Sequence, residues 1–425
     1  MFLSSLLLLG TTAAAPAPAA LAPGDLFVIK ARRVELGDGE VMEHAVILVE
    51  DGSIVTMGQD LPIERGIPVI ELDDDQVVMP GVVNPYSRIG MSGKGFNDSR
   101  PQVMASGELY PTSAYEAFLE NGITTVAQYP AGDGIPGQAV ALRPTGDAPE
   151  EMILEDGVYL KVVMQNSGAK KRNLREGFEK ADEYLDEVKK AREEFEEKQK
   201  KSKKSKSKKK DDDEKDDDKE EDDKKKDDEP KEFVPPEVDP RVQPFFDLRE
   251  GDLRALVSVR NAASFVHLVD AIGDEEFEWH LRIPLTRDCN IFHVKEDIGE
   301  TGCFVLMEPL ITLMPGTMRQ RNLPAEFDRA GAKLVLLPRR DDVRSLQSLY
   351  DDVGVMIAAG LDRKAAVRAL THNPAAFLGL DDRIGMLAEG KRANLVVFSG
   401  DPFQPGTEID AVMVDGEFVS GDIDQ

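Results

Sequence analysis

Val77-Val78-Met79-Pro80-Gly81-Val82-Val83-Asn84-Pro85-Tyr86-Ser87-Arg88-Ile89-Gly90 divides the chain into two kinds of sequence. Before it come short β-rich runs: Leu26–Ala31, Val46–Glu50, Ser53–Val55 and Val69–Leu72. Asp51-Gly52, between the second and third, is a strong hairpin turn signal. Alone, these runs specify any small β domain. Beyond Gly90 a Gly- and Ser-rich stretch to Pro111 reads as a long loop. Strand-like runs follow at Ile123–Gln128 and Tyr159–Met164, separated by the glycine-rich Ala131–Leu142. That glycine-rich segment lacks the Gly-Lys-Ser/Thr ending of a phosphate-binding loop.

The 425 residues allow two or three domains or one large barrel, and 41% hydrophobic content is ample for a core. A net charge of −28 sets the free chain against nucleic acid and anionic membranes. The Lys/Asp tract is not its source, because residues 201–230 carry 14 acidic and 12 basic side chains. Phe178, Ala181, Leu185, Val188 and Phe195 form an amphipathic helical seam, assigned here to 172–197. From 198 to 237 apolar residues nearly vanish and disorder is expected, with a solvated linker favoured over a binding arm. Residues 1–22 are too short an apolar run to span a bilayer and read as a signal peptide, implying an exported, periplasmic or extracellular protein with no membrane span. Cys289 and Cys303 are equally open to a disulfide and to two unpaired core thiols.

At the C-terminal end, Ala369-Leu370-Thr371-His372-Asn373-Pro374-Ala375 leads to Leu378-Gly379-Leu380, and Arg383-Ile384-Gly385 leads through Gly390-Lys391-Arg392-Ala393-Asn394 to Leu395-Val396-Val397-Phe398. These motifs, Gly122-Ile123-Thr124-Thr125-Val126, the glycine-rich loop and the Val77–Gly90 stretch resemble the amidohydrolase superfamily, in particular its imidazolonepropionase-like branch. The resemblance implies an α/β fold: a (β/α)8 TIM-like barrel at 80–384, its completeness between 240 and 350 left open, and a small composite β-sandwich. That sandwich would be built from both chain ends, 23–79 and 385–425. The family activity is metal-dependent hydrolysis of non-peptide C–N bonds.

The family's His-x-His metal pair is replaced here by Tyr86 and Arg88. A phenol ionises near pH 10 and a guanidinium has no lone pair to give a cation. The family's later ligands are also missing: the strand ending Val259-Arg260-Asn261 brings no histidine, and Arg339 stands at or beside the late aspartate position, with Asp341 displaced. His44 and His267 read as surface or packed side chains, and Lys161 as a solvated strand-end lysine in place of the carbamylated lysine of some relatives. The expectation is a non-catalytic, exported pseudoenzyme without a cofactor. Its former metal cleft, with Asn84, Tyr86, Arg88 and Arg339, would bind a small anionic ligand, or the protein would partner an active amidohydrolase relative or form a homo-oligomer. The alternative is a genuine C–N hydrolase with one divalent metal such as zinc, rebuilt on His280, His293 and Asp341.

Overall fold

The computed structural model describes residues 26–95, 99–164, 168–209, 232–421 and 423. The expected signal peptide lies outside them, as does most of the Lys/Asp tract. Two compact units make up the chain. One holds the chain up to Pro85, Ser113–Val126 and everything from Pro338 onward; the other holds Tyr86–Thr112 and Ala127–Leu337.

The first unit carries an eight-stranded sheet drawn from both chain ends. Its order is Glu417–Gly421, Ile409–Val414, Leu395–Phe398, Val77–Pro80, Phe27–Glu35, Val41–Glu50 and Ser53–Gln59, with Val69–Glu71 also on Phe27–Glu35. The ends meet through an antiparallel ladder that sets Leu395 opposite Pro80 and Phe398 opposite Val77. Where the sequence suggests a sandwich, the hydrogen bonding is that of one continuous sheet, because the nine-residue strand Phe27–Glu35 pairs with three others. Alternate residues Phe27, Ile29 and Ala31 on that strand join Ile47, Val49, Leu395 and Val397 in one apolar core. Glu35 is buried there, held by Arg33 at 3.0 Å and Arg363 at 2.9 Å. Asp362 caps the helix Arg363–Leu370 by accepting from the Ala365 N–H.

The second sheet has eight strands in chain order: β1 (Val82–Ser87), β2 (Ile123–Gln128), β3 (Gly137–Leu142), β4 (Ile153–Val163), β5 (Ala255–Ser258), β6 (Trp279–Arg282), β7 (Phe304–Met307) and β8 (Lys333–Leu336). Every residue of β2, β3 and β7 is buried, as expected of strands covered on both faces. From β4 to β8 successive strands pair in parallel. β3 and β4 pair antiparallel, so the barrel is TIM-like with an irregular first half. The curled eight-stranded sheet plus the terminal sheet is the expected α/β architecture.

The inserted helix spans Gly168–Lys209, longer than the 172–197 marked by the apolar seam. Its extension is polar in sequence, with i,i+4 pairs from Glu196 to Lys200 and Glu197 to Lys201. Residues 232–237, expected to be disordered, are described: Phe233 stacks on Phe195 at 5.7 Å, and the Tyr184 hydroxyl donates to the Pro236 carbonyl. Among the described residues no helix is long and apolar enough to cross a membrane. Cys289 and Cys303 are free and buried, which settles them as core thiols.

Candidate functional site

Parallel pairing aligns the C-terminal ends of β4, β5 and β6, where barrel enzymes build their sites. Ser258, the last residue of β5, stands opposite both Val163 of β4 and Arg282 of β6. A cavity of about 210 Å³ opens at this level, with Tyr86, Asp133, Lys161, Ser258, Arg260 and Arg282 in its wall.

The aromatic side chain of the cavity wall is Tyr86, near the end of β1. Tyr86 stacks on Tyr129 with ring centroids 4.0 Å apart and planes at 25°. Lys161, only 6% exposed, sets its ammonium 3.9 Å from the Tyr129 centroid and 5.8 Å from that of Tyr86. Such a cation over a ring face is attracted by the ring's quadrupole. The Arg282 guanidinium lies 5.3 Å from the Tyr86 centroid.

Arg282 is fully enclosed. Burial works against its charge, but Glu308 just beyond β7 outweighs that and raises its pKa. The two form a buried ion pair, and Glu308 also accepts the Leu285 N–H at 2.8 Å. The Arg282 Nε is buried and has no hydrogen-bond partner in the protein. A buried donor left unsatisfied costs roughly 1–3 kcal/mol.

Tyr86 is the one cleft candidate from the sequence that this wall contains. Arg88 faces its own loop: it donates to the Tyr129 carbonyl and, at 3.1 Å, to the Gly93 carbonyl, with Glu108 3.6 Å away. A Cβ at Gly93 would come within 1.9 Å of the Glu108 carboxylate, which would have to swing aside. Asn84 is buried within β1. Arg339 is 46% exposed and pairs with Asp352 at 3.1 Å, and Asp341 is also exposed; both are in the other unit.

The histidines stand elsewhere. His280 is the second residue of β6 and is buried. Its Nδ1 accepts the Phe304 N–H at 3.3 Å, so Nε2 carries the proton and lies 3.0 Å from the Glu278 carboxylate. Burial holds the imidazole below its ordinary pKa, and the histidine hydrogen bond holds Glu278 below the carboxylate range. His293 is exposed in the short turn Ile291–Val294, and His44 is exposed at φ 51°. His267 is exposed on its helix rather than packed.

The sequence singled out Lys161 but assigned it to solvent, and it did not mark Arg282 or Ser258. Strand alternation carries the missing signal: Arg282 shares a face with His280 but lies nearer the C-terminal end. A divalent metal needs several N or O lone pairs. Three cationic side chains, a phenol, a hydroxyl and the rim carboxylate of Asp133 do not supply that set. Among the described residues no group of three or more His, Cys, Asp or Glu is placed to hold a metal ion.

A model of the amidohydrolase family matches residues 340–420. The adenine deaminase of Ligilactobacillus salivarius (strain UCC118) is 26% identical over 175 residues, covering 36% of this chain and 30% of that protein, so the chain spans under a third of this relative's length. An amidohydrolase from Thermotoga maritima MSB8 superposes with a TM-score of 0.72 at 19% identity, covering 93% of this chain and all of the other. Molinate hydrolase gives 0.51 at 14% identity over 94% of this chain and 95% of its own. At such identities these structures share the fold alone. The chain thus shares the fold of an amidohydrolase over 93% of its length, and its C-terminal residues 340–420 match the amidohydrolase family model.

Proposed function

We propose that this is a metal-free amidohydrolase-fold protein, a pseudoenzyme with respect to metal-dependent C–N hydrolysis, whose cavity binds a small carboxylate. One observation carries the reading: Lys161, Arg260 and Arg282 converge on a single cavity at the strand ends, where the family resemblance leads one to expect a metal. Fixed cations there supply charge that hydrolases of this fold borrow from an ion, and the exposed guanidinium of Arg260 suits carboxylate oxygens. The apolar leader at 1–22 accords with export of the protein.

Titration of the full chain with propionate is the test. Saturable binding near one per chain, weakened at least about tenfold in Lys161→Met, a loss of about 1.4 kcal/mol, is the expected result. Stoichiometric zinc together with hydrolysis of a cyclic amide would overturn the reading and favour the rebuilt metal site. Absence of propionate binding would remove the anion site itself.

A further inference from the structure

Lys161 differs from an ordinary anion-binding lysine in where it sits. It is 6% exposed on β4, it faces the Tyr129 ring, and its cavity wall also contains two guanidinium groups. An amine withdrawn from water beside other cations is the arrangement in which lysine attacks carbonyl carbon. Propionate would engage only the cationic side of such a pocket.

We propose that Lys161 forms an imine with a small 2-oxo carboxylic acid whose carboxylate is held by Arg260. This rests on the carboxylate site described above and adds a covalent step to it. In a 2-oxo acid the carbonyl carbon is bonded directly to the carboxylate carbon. An anchor at Arg260 therefore presents the carbonyl to another residue of the same wall. The cavity of about 210 Å³ is below the ~300 Å³ at which drug-sized pockets begin, which restricts the acid to a few carbons. The Tyr86 ring offers an apolar surface to its short chain.

The step balances without an oxidant or reductant. Once the ammonium has given up a proton, Nζ attacks the carbonyl carbon, forming a C–N bond while the π pair moves to oxygen. A proton passes from nitrogen to that oxygen to give a carbinolamine. The C–O bond then breaks with a second proton, releasing water and leaving the protonated imine. The phenol of Tyr86, the hydroxyl of Ser258 and the carboxylate of Asp133 share the wall and can relay these protons.

The experiment treats the full chain with pyruvate and cyanoborohydride and locates the reduced adduct by peptide mass spectrometry. One adduct per chain at Lys161 is expected, about tenfold above any other lysine. Propionate should suppress it, and acetone, which lacks the carboxylate, should label Lys161 much more weakly. Lys161→Arg should abolish the adduct while keeping a cation for propionate. Labelling scattered over surface lysines, or labelling at Lys161 that propionate does not suppress, would overturn the proposal, and neither result depends on a variant folding. If propionate binds but pyruvate is not trapped, the imine fails and the carboxylate site stands. If neither occurs, both fail.

Discussion

The strongest single interactions involve buried charge. Arg282 and Glu308 are each about one-tenth exposed and neutralise one another below the cavity. Glu308→Ala leaves Arg282 uncompensated, with an expected loss of about 3–5 kcal/mol in urea denaturation. The double change Arg282→Met with Glu308→Leu should cost far less, since it removes both desolvated ions. His280 sets the response to acid. Its folded pKa is below the ordinary 6.5, so the unfolded chain takes up the proton first and stability falls as pH drops below that value. Glu278, also lowered, contributes stability above the ordinary 4.5 that is lost as pH falls through its folded value. Both act in the same direction, histidine first. Melting curves should therefore decline from about pH 6.5 downward, and His280→Gln should flatten the upper part of that decline. Cys303, pushed by burial to about 11, should react with thiol reagents only on unfolding.

Among the elements, the long helix Gly168–Lys209 has two unequal parts. Near its start Phe178 is 2% exposed and packs against Phe245 and Phe277, each at 5.2 Å between centroids. Gly177 makes the approach feasible, because a Cβ there would sit 1.9 Å from the Phe245 ring. Arg249 reinforces this contact by bonding Glu275 in bidentate fashion at 2.9 and 2.8 Å and Asp182 at 2.8 Å. Farther along, Phe195, Tyr184 and Arg192 are engaged by the returning segment around Phe233 and Pro236, and Tyr184 also by Phe246. Phe178→Ala should destabilise the unit by about 3–5 kcal/mol. Phe195→Ala, on a half-exposed contact, should cost under about 1.5 kcal/mol by the same denaturation assay. The apolar seam made this helix legible, whereas its polar extension to Lys209 has no apolar period to mark its end.

For the molecule as a whole, −28 of net charge implies self-repulsion in the folded state. Salt shortens the Debye length from about 30 Å at 0.01 M to about 8 Å at 0.15 M, so the melting temperature should rise over that range. A flat or falling profile would mean that local ion pairs such as Arg363 with Glu35 and Asp401 dominate instead. The joined chain ends were readable at this scale, because Val77–Pro80 and Leu395–Phe398 each carry a strand pattern and a resemblance motif. The antiparallel β3–β4 pair was not, since hydrophobic runs covered on both faces look alike in either direction.

Sequence by itself determined the superfamily resemblance, the two-sheet α/β plan and the presence of Tyr86 and Arg88 where the resemblance leads one to expect a His-x-His pair. Those depend on local motifs, and motifs survive in one dimension. Only the tertiary structure decided which cations share a cavity. It turned Arg88 onto its own loop, kept Arg339 on an exposed ion pair, and gathered Lys161, Arg260 and Arg282 from three separate strand ends. Strand alternation gives a side chain's face, but register and parallel alignment set its depth, and depth decides whether a lysine meets water or an aromatic ring.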